Sequence, residues 1–179
     1  MRKLFLNLLA FTFLIVATSC SSDNNDNPTQ VDGTWKLTAW NVGESYDLNN
    51  DGTASSNLLD EMDCYNNETI VFANNTATYM STSYADIYFE ATVGGSTEGT
   101  YTIECEQEIE NSPAAYTVSG NTVTITETYE EDGQVYEEVI VATLNGNTLS
   151  FVIPDGYYVE DDEFEVLVEQ DLTLVFTKL

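Results

Sequence analysis

Histidine is absent from this 179-residue chain, and cations nearly so: Arg2, Lys3, Lys36 and Lys178 stand against 31 acidic residues. Each shortage removes a class of chemistry. Without histidine there is no Ser-His-Asp relay and no zinc site built on imidazole. Nucleic acids are gripped through lysine and arginine on phosphates, so nucleic-acid binding is excluded. Phosphoryl transfer needs the same cations or a glycine-rich cradle, and the sequence has neither. An anionic lipid surface would repel such a chain. What survives is carboxylate chemistry, calcium, carbohydrate, apolar ligands and cationic partners. The acidity itself reads most simply as a solvated surface that keeps the protein soluble.

Long apolar runs are scarce too. The one present, Leu4 to Val16, sits behind Arg2 and Lys3 and is interrupted only by Asn7 and Thr12. Its length suits the apolar core of a signal peptide and is too short to span a bilayer. Ala17, Thr18 and Ser19 supply the small side chains a peptidase cleft requires, and Cys20 follows. The arrangement resembles the lipobox of bacterial lipoproteins. That resemblance implies removal of residues 1–19 and a lipid anchor (palmitate-type acyl chains) on Cys20. More than one acyl chain makes such an anchor stable. Residues 20–31 carry SSDNNDNPTQV after the cysteine, too polar to fold. They read as a flexible tether spanning roughly 18 Å. An acidic stretch directly after the lipidated cysteine also resembles the surface-export signals of Bacteroidetes lipoproteins. The expected location is therefore the outer membrane, with the domain on the cell surface, and a periplasm-facing domain is the alternative.

Residues 32–179 are left as one domain, large enough for a real core. The exported chain keeps two lysines against 31 acids, a net charge of −29. Of three cysteines, one is assigned to the lipid. Cys64 and Cys105 remain, and outside the cytoplasm an even pair is most simply a disulfide.

The body of the chain reads as antiparallel β-structure. Segments rich in Thr, Val, Ile, Tyr and Phe alternate with turn residues. Trp35 to Asn41 comes first. Thr69–Phe72 and Thr76–Met80 flank Asn74-Asn75. Ile87 to Val93 ends at Gly94-Gly95, and Thr100 to Glu106 alternates with period two. Ala115 to Val118 leads to Gly120-Asn121. Thr122–Tyr129 and Val135–Leu144 flank Glu131-Asp132-Gly133, a hairpin signal. Asn145-Gly146 precedes Thr148–Ile153. A last hairpin is expected from Phe164–Val168 and Leu172–Phe176, turning near Gln170-Asp171. Asn57 to Met62 can form one helical turn. Some eight to ten strands with short links predict an all-β, antiparallel, up-and-down barrel, or else a β-sandwich.

The opening strand carries Gly33-Thr34-Trp35 within GTWKLTAW, followed by DLNNDGTASSNLL, Cys64 and ETIVF. This ordered set, from Asp32 to Phe72, resembles the lipocalin-like domains of Bacteroidetes lipoproteins. The resemblance implies a calyx-shaped barrel closed below by Gly33 and Trp35, with room for one small ligand or a filled interior. True lipocalins pack an arginine over that tryptophan. Here no arginine survives export, and Lys178 is the expected substitute as a cation–π partner.

Three further features were weighed. Asp47, Asn49 and Asp51, with Gly52 after them, have the spacing of the first half of a calcium loop, but Leu58 stands where a bidentate glutamate belongs. A weak Ca2+ site there competes with a simple turn. Carboxylate pairs for glycoside hydrolysis carry no information among 31 acids, and no catalytic residue is assigned. The eleven tyrosines suit a pleated surface as well as a ligand pocket. The expectation is a non-catalytic module for a small apolar or amphipathic ligand. Its rival is a structural or interaction lipoprotein with a filled barrel and an acidic face for a partner.

Overall fold

The computed structural model describes residues 30–64, 66–91, 99–131, 133–160 and 166–179. The signal peptide, Cys20 and most of the tether lie outside the described residues, as do Gly94-Gly95 and Phe164. Among the described residues eleven strands run β1 (Gly33–Tyr46), β2 (Ser55–Asn57), β3 (Thr69–Ala73), β4 (Thr76–Ser81), β5 (Tyr84–Ala91), β6 (Gly99–Glu106), β7 (Glu110–Ser119), β8 (Thr122–Glu131), β9 (Gln134–Asn145), β10 (Thr148–Glu160) and β11 (Val166–Lys178). A single 3₁₀ turn, Leu58–Asp60, follows β2, capped by the Asn57 side chain accepting from the Leu59 N–H.

Eight of these strands close into a barrel in the order β1-β3-β4-β7-β8-β9-β10-β11, and β11 returns to β1. Every neighbour pair around the ring is antiparallel. The ring is the up-and-down barrel, not the sandwich. Two insertions leave it. β2 and the 3₁₀ turn interrupt the β1–β3 link and pair back on β1. The β5–β6 hairpin interrupts the β4–β7 link.

One end of the barrel is tied by tight turns. Asn74 and Asn75 both adopt left-handed φ, 53° and 62°, a conformation asparagine tolerates better than other side chains and one that matches the twist of a two-residue hairpin. The Gly120 and Gly146 turns lie at the same end. There the core is solid. Trp35, Leu37, Phe72, Val123, Leu149 and Phe176 are fully buried. The Tyr116 ring meets Phe72 edge-on at 5.0 Å, and Phe151 stacks on Phe176 at 5.9 Å. Val31 is fully buried, and its carbonyl accepts the Trp35 indole N–H at 2.7 Å.

The phase of β1 changes once along its length. Leu37 pairs with Phe176 and Ala39 with Val175, so Thr38 is an extra residue. That bulge moves the inward set from Trp35 and Leu37 to Trp40 and Val42.

The sequence reading fails at the last hairpin. Val166–Lys178 is one strand, with no turn at Gln170-Asp171. Both residues are held in line by partners: the Gln170 carboxamide accepts the Gly43 N–H at 3.0 Å and donates to the Tyr46 hydroxyl, while Asp171 accepts the Asp155 N–H at 3.2 Å. The irregularity falls in the partner strand. Ile153 pairs with Leu172 and Tyr157 with Gln170, so Pro154, Asp155 and Gly156 bulge out of β10. A Cβ on Gly156 would meet Ile153 at 2.8 Å, which is why glycine stands there.

Candidate functional site

The closed end is built around Trp35. Gly33 has φ 125°, and a Cβ there would press on the Lys178 Cε at 3.2 Å. Glycine thus admits the lysine stem, whose Nζ lies 5.4 Å from the Trp35 ring centroid and donates to the Gln30 carbonyl at 2.8 Å. The lysine expected to replace the arginine does sit over the tryptophan. Gly33, Trp35 and Lys178 together plug this end of the barrel.

Above the plug the strands part. β9 pairs with β10 only from Thr143–Asn145 to Thr148–Ser150, and β8 pairs with β7 only as far as Thr126. Upward of these points the β8–β9 ribbon leans away from its neighbours. Behind it lies a cavity of about 210 Å³. Its floor and walls are Ile70, Ala77, Ala114, Ile125, Ile140, Phe151 and Leu174, with Ile153 at the edge. Polar atoms come from Tyr79, Ser112, Glu127 and Glu138. Burial pushes the Tyr79 hydroxyl up to about 12, with the Glu68 carboxylate adding to the shift, so it stays a neutral donor. Glu127 and Glu138 stand directly opposite each other in the β8–β9 register. They follow Ile125 and Ile140 on the inward phase of their strands.

Glu68 braces the wall from behind. It is buried and accepts the Thr82 hydroxyl at 2.8 Å and the Ser83 N–H at 3.3 Å. This ties the start of β3 to the corner where β4 leads into β5.

The remaining sequence candidates fall outside the barrel. Cys64 and Cys105 form the expected disulfide, with Cα atoms 5.4 Å apart. It fastens the β5–β6 hairpin to the segment after the 3₁₀ turn. Among the described residues the hairpin has only one other sheet pairing to the barrel, Tyr88 with Glu160. In the Asp47 loop, both Asp47 carboxylate oxygens accept backbone N–H groups, from Asp51 and Gly52 at 2.9 Å each. Asn49 also accepts from Asp51, and Asp51 accepts from Thr53 at 2.8 Å. The loop therefore closes on its own backbone. Among the described residues no three acidic, cysteine or histidine side chains are grouped to hold a metal ion. Glu104 and Glu110 lie on different strands, because β6 ends at Glu106 and β7 begins at Glu110.

Two larger hollows lie among the described residues. One of about 250 Å³ lies between Trp40, Ile87, Tyr157 and Leu172, where the β5–β6 hairpin meets the barrel. Burial, helped by Tyr101 and Tyr46, raises the Tyr157 pKa. The other, about 300 Å³, is an open acidic dent by the Asp47 loop, with Asp60, Glu61 and Asp63 on its walls. Only the barrel cavity combines a mainly apolar wall with enclosure by the ring itself.

The sequence reading did not single out Glu127 or Glu138. The signal was there: in VTITETYEE the period-two phase that buries Val123 and Ile125 carries on to Glu127. What it could not tell was that the strands would separate at that height. Comparison of the chain with protein-family models, with curated proteins and with solved structures yields no match.

Proposed function

We propose that this protein is a non-catalytic binding module of the lipocalin-like lipoprotein type, which holds a small apolar or amphipathic ligand in the upper half of its barrel. In this reading residues 1–19 direct export, Cys20 carries the acyl anchor in the outer membrane, and the tether presents the barrel at the cell surface. The carrying observation is the cavity of about 210 Å³, apolar in its walls and set above a plugged lower end. Pockets for drug-sized ligands run to roughly 300–1,000 Å³, and an apolar void of roughly 150 Å³ takes up benzene. The ligand is accordingly small: one ring or a short alkyl chain.

The test is methyl NMR on the chain secreted with Cys20→Ser, titrated with a small apolar probe such as toluene. Saturable shifts at Ile125, Ile140 and Leu174, with Val135, Val139 and Val141 on the outer face of β9 unmoved, are expected. Shifts spread evenly over the exposed valines would contradict it.

A second reading keeps one observation of its own. Val135, Val139 and Val141 are 68%, 55% and 60% exposed along one face of β9. A partner strand covering them would make the molecule an interaction lipoprotein rather than a carrier.

A further inference from the structure

We infer that the ligand of the barrel cavity is an amphipath with a cationic head, seated with its apolar part against Ile125, Ile140 and Phe151 and its charge between Glu127 and Glu138. The inference rests on the reading that the cavity takes a small ligand, and it names the chemistry of that ligand.

Like charges directly opposite in an antiparallel pair destabilise a sheet. Glu127 and Glu138 are such a pair, and they line the wall of a hollow whose other walls are apolar. Neither lysine of the exported chain relieves them. Lys36 faces Thr69 and Thr177, and Lys178 covers Trp35, both at the plugged end. A protonated amine placed between the two carboxylates would donate charge-assisted hydrogen bonds to both and remove the repulsion. An anionic head would add a third negative charge. The field of a chain at net −27 acts in the same sense, concentrating cations at the mouth and repelling anions. Tyr79 on β4 and Ser112 on β7 supply hydroxyls to the same cavity, acceptors for the remaining ammonium protons.

Hexylammonium, hexanol and hexanoate share one tail and differ in the head, so their comparison tests the inference on the secreted Cys20→Ser chain. Binding is followed by methyl shifts at Ile125 and Ile140. Hexylammonium should bind about tenfold more tightly than hexanol, the equivalent of one well-placed charged hydrogen bond, and hexanoate least. Glu127→Gln with Glu138→Gln should bring hexylammonium down to the level of hexanol. Removing two outer acids instead, Glu104→Gln with Glu106→Gln, should leave the preference intact, which separates a built site from general attraction to an acidic protein. If hexanol binds and hexylammonium binds no better, the cavity reading stands and the cationic head is refuted. Equal loss of preference in both double variants refutes it as well. If none of the three shifts the cavity methyls while the fold is intact, the cavity reading itself falls.

Discussion

Trp35 concentrates more of the fold than any other side chain. It is fully buried, its N–H is taken by the Val31 carbonyl, and Lys178 lies on its face. Trp35→Ala should cost about 3–5 kcal/mol in denaturant unfolding. Lys178→Met, which keeps the stem and removes the charge, should cost about 1 kcal/mol. A loss as large as that of Trp35→Ala would mean the lysine does more than cap the ring. Buried tyrosines give the fold an alkaline limit. The Tyr79 pKa is raised to about 12 from an ordinary value of 10, chiefly by burial. Above pH 10 the unfolded chain releases that proton while the folded one keeps it, so stability is full below pH 10 and falls as pH rises toward 12. Each such tyrosine can steepen the fall by up to about 1.4 kcal/mol per pH unit. Tyr79→Phe should flatten urea midpoints measured from pH 9 to 11; an unchanged slope would refute the assignment. At this scale much was legible. Gly33, Trp35 and Lys178 could be named from the sequence because the glycine and the ring bracket a known kind of opening strand and lysine was the only cation available. Glu68 could not, since its burial depends on Thr82 and Ser83 arriving from a different corner.

The elements differ in how firmly they are attached. Among the described residues the β5–β6 hairpin has one strand pairing to the barrel; the Cys64–Cys105 bond, the Asn50 to Tyr101 hydrogen bond and apolar packing add to it. A loop of 41 residues closed by a disulfide contributes about 4 kcal/mol in the chain-entropy account. Reduction should therefore release amide-exchange protection in Tyr84–Ala91 and Gly99–Glu106 before the barrel strands lose theirs. Simultaneous loss would show that hairpin and barrel unfold as one unit. The Asp47 loop should behave as a turn that needs no ion, because its carboxylate oxygens already accept backbone N–H groups. A melting temperature that is equal in excess calcium and in chelator is expected, and a rise with calcium would restore the site suggested by its spacing. Period-two patterning located most strands, since one wet and one buried face leave that imprint. It misplaced the last hairpin because Gln170 and Asp171 look like turn residues. Their side chains are instead spent on Gly43, Tyr46 and Asp155, contacts that come from β1 and β10 and leave no trace in the local sequence.

At the scale of the molecule, charge and shape act together. A chain at net −27 repels itself in the compact state, and salt screens that repulsion over about 10 Å at 0.1 M. Raising NaCl from 0.05 to 0.5 M should raise the melting temperature, whereas a fall would mean that ion pairs outweigh the repulsion. An antiparallel all-β fold was legible from strand number and short links, but those alone left barrel and sandwich open; the β11–β1 pairing that closes the ring is a long-range contact. The cavity was not legible either, because it arises where β8–β9 leans away from β7 and β10, a matter of how far each pairing extends. The most direct test of the cavity as a ligand site is native mass spectrometry of the protein purified gently from its own cells, beside a variant with Ala114→Trp. The account predicts a small non-covalent adduct on the wild type, carrying a basic nitrogen, and none on a folded Ala114→Trp protein whose cavity the indole fills. An adduct that persists unchanged in the filled variant would contradict it.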